Sequence, residues 1–244
     1  MYLINNQPTI SIDSFVDIKS LMALKPYLDY AVVKSSGTAT PSRYFKSQFL
    51  HATHNGLSDV INHSYPYEFL QDLKDNDQYA AWLSYTEEVV YGQRSVQISY
   101  PTSWESKHLK DQVVDTNNKQ YWTAFTEWLD QQNIFTEYGR IVVFLNEPGV
   151  NTPIHYDSLD RTRPDEFIWI SLDNRKKMFV FDPKTEQKYH LDATIGMFDT
   201  SNYHGADVGN LASWSLRVDG TFSDQFLAKS LLYKHFRSPS VTKY

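Results

Sequence analysis

The chain has 244 residues, no cysteine and a formal charge of −6 at pH 7. Without thiols it holds no disulfide, zinc–thiolate site or iron–sulfur cluster. The acidic balance excludes the basic footprint of a generic duplex nucleic-acid binder, and the length suffices to bury a full core as one domain, residues 1–244.

The opening residues, MYLINNQPTISID, lack the basic region and apolar run of a secretory signal. No stretch approaches the ~18 apolar residues of a membrane span. The expectation is a cytoplasmic protein with no membrane contact. Residues 1–135 read as a mixed α/β portion packing on the core. Asp13 or Ser14 suits the cap of a helix to about Leu28, with Phe15, Ile18, Leu21, Met22 and Leu24 at helical spacing. Ala31-Val32-Val33 reads as a short strand. Pro66 suits a first helical position, followed by Phe69, Leu70 and Leu73 on one face. Glu87 and Glu88 read as a solvated helix face. Lys119 to Gln132 is the strongest helical pattern, with Trp122, Phe125, Trp128 and Leu129 as its apolar stripe.

From Gly139 strand signals dominate. Arg140 to Leu145 is a buried-strand run ended by Asn146-Glu147-Pro148-Gly149. Glu166 to Leu172, Lys177 to Phe181, Gln187 to Leu191, Gly196 to Asp199 and Ser213 to Val218 continue the series. Short strands at close spacing predict a sandwich or barrel. The expected fold is mainly β with flanking helices. Its core, residues 136–220, is a jelly roll, with helices from the first half on its outside. Thr221 or Ser223 then caps a last helix through Phe226, Leu227, Leu231 and Leu232, within a C-terminal helix and tail, 221–244.

Two H-x-D triplets stand out, His155-Tyr156-Asp157 and His190-Leu191-Asp192. Two imidazoles and a carboxylate can occupy one face of Fe(II) and leave the other open. The triplets differ in the chain that lies beyond each. After His190 the only suitably distant histidine is His235, which lies in the last helical pattern. After Asp157, 46 residues with several strand signals precede His204, enough chain to cross a jelly roll and return. In an extended segment His155 and Asp157 point to one side and Tyr156 to the other. Hence His155, Asp157 and His204 are the candidate metal ligands. His190 and Asp192 read as a strand-end pair facing solvent. In the last strand Trp214, Leu216 and Val218 face one way, and Ser213, Ser215, Arg217 and Asp219 the other. Arg217 and Ser215 could clamp a carboxylate, since the guanidinium fork binds carboxylate bidentately. Taken alone, the strand reads rather as a surface strand with an exposed arginine; the spacing of Arg217 after His204 favours one site of both.

Together these residues carry a family resemblance. The matching pieces run from Arg140-Ile141 through Pro148-Gly149 and His155-x-Asp157 to Glu166-Phe167-Ile168-Trp169. They continue with Phe198-Asp199-Thr200-x-x-x-His204-Gly205-Ala206 and Ser215-Leu216-Arg217-Val218-Asp219-Gly220. This third of the chain resembles the Fe(II)/2-oxoglutarate-dependent oxygenases, most of all the aspartyl/asparaginyl β-hydroxylase-type branch. The resemblance implies a double-stranded β-helix, cupin-like in form. It implies Fe(II) on His155, Asp157 and His204, O2 and 2-oxoglutarate as co-substrates, and the far carboxylate of 2-oxoglutarate on Arg217. Members of that branch often carry a further arginine on a central strand. Here that strand reads Phe167-Ile168-Trp169-Ile170-Ser171, and Trp169 takes the place. With Asp157 present no ligand position is left for halide, so hydroxylation with release of succinate and CO2 is implied.

The substrate would be an amino acid, a peptidyl side chain or another small metabolite. Arg161 and Arg163, after the first triplet, could pair with its carboxylate or phosphate; a solvated loop is the other reading. His51, His54 and His63 read as surface histidines, because Asn55-Gly56 breaks any shared helix face. Two further functions compete. One is a non-oxidative cupin-like isomerase or lyase with the same ligands. The other is a jelly-roll sugar-binding module using the abundant aromatic residues, 15% of the chain.

Overall fold

A computed structural model describes residues 1, 3–45, 87–157, 165–173 and 175–237. Twelve strands are described, in two antiparallel sheets. The larger holds β1 (Thr9–Ser11), β10 (Ile195–Phe198), β7 (Phe167–Ile170), β12 (Ser213–Phe222), β5 (Phe135–Asn146), β3 (Glu87–Pro101) and β2 (Thr40–Phe45), in that order. β4 (Val113–Asp115) pairs with β3. The smaller holds β6 (Thr152–His155), β11 (His204–Val208), β8 (Lys176–Asp182) and β9 (Gln187–His190).

The pairing within β5–β12 defines the fold. β5 pairs with β12, β6 with β11, β7 with β10 and β8 with β9. One long hairpin is thus wound so that successive pairs alternate between sheets. This is the expected double-stranded β-helix, a jelly roll with two walls. Strands from the first half do more than pack on its outside. β1 pairs with β10 and β3 with β5, so they extend the larger sheet at both edges.

Alternation along the strands separates two apolar clusters. Ile141, Val143, Leu145, Ile168, Ile170, Leu216 and Val218 face outward, into a core closed by α1 (Ile18–Ser35) and α2 (Thr123–Gln132). There Trp122 and Phe125 are fully buried, each contributing roughly 2–3 kcal/mol of apolar burial. Phe167, Trp169, Met178, Val180 and Phe198 face inward and line the barrel.

Several elements differ from expectation. α1 starts at Ile18, with Asp17 rather than Asp13 or Ser14 accepting from the Ser20 N–H. It continues past Pro26 to Ser35, so Ala31-Val32-Val33 is helix, not strand. Leu21, Leu28, Ala31 and Ser35 form one buried stripe at helical spacing, and this packing overrides the strand propensity of the valines. Glu87 and Glu88 begin β3 and lie on no helix. The last helix is split: Ser223 caps α3 (Asp224–Lys229), Leu231 adopts φ 61°, and α4 (Tyr233–Arg237) comes next. The helix expected at Pro66 lies outside the described residues, as do His51, His54 and His63. Among the described residues no helix is long and apolar enough to cross a membrane.

Candidate metal centre

His155 ends β6 and His204 begins β11, and the two are register partners across that pair. Their rings lie 4.4 Å apart. The approach depends on Gly205, where a Cβ would come within 2.8 Å of the Thr152 carbonyl and 2.9 Å of the Phe179 ring. Asp157 comes next in an extended segment pinned by its N–H to the Thr200 carbonyl, 3.0 Å. Tyr156 turns aside and meets Tyr203 edge-on.

The three side chains converge. Asp157 Oδ1 lies 3.4 Å from His155 Nε2 and 3.6 Å from His204 Nε2. Each imidazole is fixed from behind, with His155 Nδ1 2.7 Å from the Pro153 carbonyl and His204 Nδ1 2.8 Å from the Asn202 carbonyl. A carbonyl only accepts, so Nδ1 carries the hydrogen and Nε2 keeps its lone pair for a metal. Burial, with the neighbouring His204, pushes His155 below its ordinary range. Among the described residues this is the one group of three potential ligands that close together, with ligand atoms within 4.8 Å of one another. The donor set fits Fe(II), as two nitrogens and one carboxylate oxygen on one face.

Arg217 sits beside this centre in a buried charge network. Its Nη1 donates to Asp157 Oδ2 at 2.5 Å, its Nε to Asp219 Oδ1 at 3.0 Å, and its Nη2 to Asp165 Oδ2 at 3.2 Å. Arg140 reaches Asp219 at 3.2 Å, and Lys107 reaches Asp165 at 2.8 Å. Burial opposes ionisation of Asp157, but His204 and Arg217 outweigh it and hold the carboxyl well below the usual range. Burial likewise works against Arg217, and Asp219, Asp157 and Asp165 more than reverse it. The expected free clamp is therefore already occupied. Arg217 lines the cavity, but every one of its nitrogens faces a carboxylate.

A cavity of about 510 Å³ opens at the triad and runs into the barrel past Met178, Phe144 and Trp169. Trp104 and Arg140 also line it and are shared with a second cavity. Lys176, on β8, is only 2% exposed. Its Nζ donates to Asn146 Oδ1 at 2.7 Å and lies over the Trp169 and Phe144 rings. Burial pulls it down to about 7. Ser213 and Ser215, the register partners of Asn146 and Phe144, have hydroxyls without a partner among the described residues, as does Trp169 Nε1.

Of the residues singled out in the sequence, His155, Asp157, His204, Arg217 and Trp169 thus come together around one chamber, while Ser215 is buried on β12 beside Phe144. Arg161 and Arg163 lie outside the described residues. His190 turns to Asp207, 3.1 Å, at the surface and does not join Asp192 in a metal group. Sequence reasoning misses Lys107, Asp165 and Lys176. The first two are 58 residues apart and meet only in the fold. Lys176 carries a signal: it shares strand parity with Met178 and Val180, both buried.

No family model matches the chain, and no curated protein matches it. Solved structures do. One is an oxidoreductase of the 2OG-Fe(II) oxygenase family from Burkholderia pseudomallei, at 11% identity and TM-score 0.37, covering 70% of this chain and 92% of that one. Another is a prolyl hydroxylase from Trichoplax adhaerens, in complex with a hypoxia inducible factor oxygen degradation domain peptide fragment. It shows 12% identity and TM-score 0.46, covering 93% of this chain and 89% of that one. A third is an rmlc-like cupin protein from Desulfovibrio desulfuricans, at 18% identity and TM-score 0.26, covering 36% and 73%.

Proposed function

We propose that this chain is a non-haem Fe(II) oxygenase that uses 2-oxoglutarate and O2 to hydroxylate a C–H of an amino acid, a peptidyl side chain or a small metabolite. The observation that carries this is the convergence of His155 Nε2, His204 Nε2 and Asp157 Oδ1 on the wall of the cavity. The motifs around these residues are most like the aspartyl/asparaginyl β-hydroxylase-type branch.

The residues have separate tasks. His155, His204 and Asp157 hold the ion. The Pro153 and Asn202 carbonyls fix both imidazoles in the ligating tautomer. Arg217 holds Oδ2 of Asp157 and so leaves Oδ1 to face the histidine nitrogens. Phe198, 4.9 Å from the His204 ring, and Met178 exclude water from the inner side. Fe(II) held there supplies O2 activation coupled to oxidative decarboxylation: R–H, O2 and 2-oxoglutarate give R–OH, succinate and CO2. Substrate would enter past Trp104 and Arg140, where the two cavities share a wall.

The test is spectroscopic. Under argon, Fe(II) and then 2-oxoglutarate are added to metal-free protein. A weak visible charge-transfer band, followed by succinate release on admitting air, is the expected result. Tight Fe(II) binding without a band would overturn the proposal in favour of a cupin-like isomerase or lyase. No metal binding at all would leave a jelly-roll binding module.

A further inference from the structure

We propose that the substrate of this site is an anion, and that its carboxylate or phosphate docks on the open edge of the Arg140 guanidinium, at the wall the two cavities share. The proposal rests on the oxygenase reading above for the reacting end of the substrate.

The strand places the side chain. On β5, Ile141, Val143 and Leu145 face the outer core, so Arg140 points inward with Phe144. Gly139 lets the segment 104–109 close against the strand. A Cβ there would come within 2.5 Å of the Lys107 carbonyl, which accepts from the Arg140 N–H at 2.7 Å. The same closure brings the Trp104 ring centroid to 5.0 Å from the guanidinium carbon. Asp219 Oδ2 accepts from Nη1 at 3.2 Å.

What remains of the guanidinium is a fork. Nε and Nη2 share one edge, and among the described residues they donate to nothing. The residue is only 7% exposed and lines both cavities. Neither nitrogen is sealed in, in contrast to the unpartnered Ser42 hydroxyl. Two parallel N–H donors on one planar edge match two oxygens of a carboxylate or phosphate. With a ring over the guanidinium and a carboxylate at Nη1, that edge is oriented before a ligand arrives.

The charges leave a place for an anion. Burial works against both arginines that share Asp219. Asp219, Asp157 and Asp165 reverse it at Arg217, whereas at Arg140 burial prevails over Asp219. Lys107, Arg140 and Arg217 balance the three aspartates, but Arg43, exposed on β2, adds a further cation to the lining of both cavities. The second cavity, about 680 Å³, has no carboxylate in its lining among the described residues, in a chain of net charge −6. None of the three metal ligands lines it, so the open edge serves a molecule that extends away from the ion.

The spacing agrees. Arg140 lies two residues along β5 from Val142, the register partner of Arg217. At ~3.4 Å per residue that is about 7 Å between backbone levels. Arg217 in turn holds Asp157. One small substrate can therefore reach from the fork to the metal ligands.

The test titrates sodium acetate and sodium phosphate into the full, metal-free chain at constant ionic strength, read by calorimetry. Saturation at one site per chain by acetate, by phosphate or by both supports the site; acetate alone assigns a carboxylate, and phosphate alone a phosphate ester. Arg140→Lys keeps the charge and loses the fork, and is expected to weaken binding about tenfold or more. Arg43→Met, at an exposed position, is expected to weaken it about threefold. Far-UV circular dichroism checks the fold of both variants. With Mn(II) bound, Arg140→Lys is expected to leave 2-oxoglutarate affinity within about twofold. No saturation of the wild type would overturn the proposal, as would equal saturation of Arg140→Lys. A parallel loss of 2-oxoglutarate affinity would overturn it too, by giving the fork to the co-substrate. Should Arg140→Lys not fold, unchanged binding in Arg43→Met overturns it. The anion titration needs no metal, so failure to form the Fe(II) chelate overturns the oxygenase reading and leaves this anion site standing.

Discussion

Replacing Lys176 by methionine in ligand-free protein should make the fold more stable, not less. Methionine is close in volume and apolar, so the chamber stays filled. Burial holds the lysine at about 7 instead of its ordinary 10.5. Below pH 7 the folded and unfolded chains both carry the proton, and the full burial penalty is present. Between pH 7 and 10.5 the unfolded chain keeps a proton that the folded one has lost, so wild-type stability rises with pH across that window. At about 1.36 kcal/mol per pH unit the rise totals on the order of 5 kcal/mol. The variant removes this penalty but leaves Asn146 without its donor, a loss of about 1–2 kcal/mol. The balance is about 3 kcal/mol of added stability at pH 6, vanishing as pH approaches 10. Urea unfolding monitored by tryptophan fluorescence reads it. With an m-value of roughly 3 kcal/mol/M, the midpoint of Lys176→Met should exceed the wild type by about 1 M at pH 6. Parallel pH profiles for the two proteins would refute the reasoning, as would a variant less stable at pH 6.

The same geometry sets three further outcomes. His204→Ala should abolish stoichiometric metal binding in equilibrium dialysis, whereas His190→Ala, which loses a contact with Asp207 and an edge-on contact with Phe179, should leave it unchanged. Arg217→Met strands Asp157 in a buried setting and leaves Asp165 and Asp219 only Lys107 and Arg140. It should lower stability by about 3–5 kcal/mol in urea and metal affinity by about 10–100-fold. Gly205→Ala forces a Cβ into the Thr152 carbonyl and should destabilise by about 1–3 kcal/mol, with a lower melting temperature in calorimetry.

How much of the site is legible in the sequence depends on how local each signal is. Ser213 to Asp219 alternates, so its two faces are legible without the fold, and the structure puts Leu216 outward and Arg217 inward. The histidine pairing is legible as spacing, because β6 and β11 are short and each carries its ligand at an end. The role of Arg217 is not legible, because its partners are remote. Asp165 comes from a segment 52 residues away, and no pattern announces that three carboxylates will surround one guanidinium. The valines of α1 mislead for a similar reason. Their strand propensity is local, whereas the buried stripe of Leu21, Leu28 and Ala31 exists only against α2 and the larger sheet.

The setting of Arg217 arises from charge and geometry together. Lys107, Arg140 and Arg217 face Asp157, Asp165 and Asp219, three cations against three anions. That network is balanced in charge, and the part of Arg217 in it is positional. Were Arg217 to turn toward a ligand carboxylate, Asp157 Oδ2 would be released from its 2.5 Å bond. The carboxylate would then have both oxygens free to rotate, and the approach of Oδ1 alone to the two histidine nitrogens would be lost.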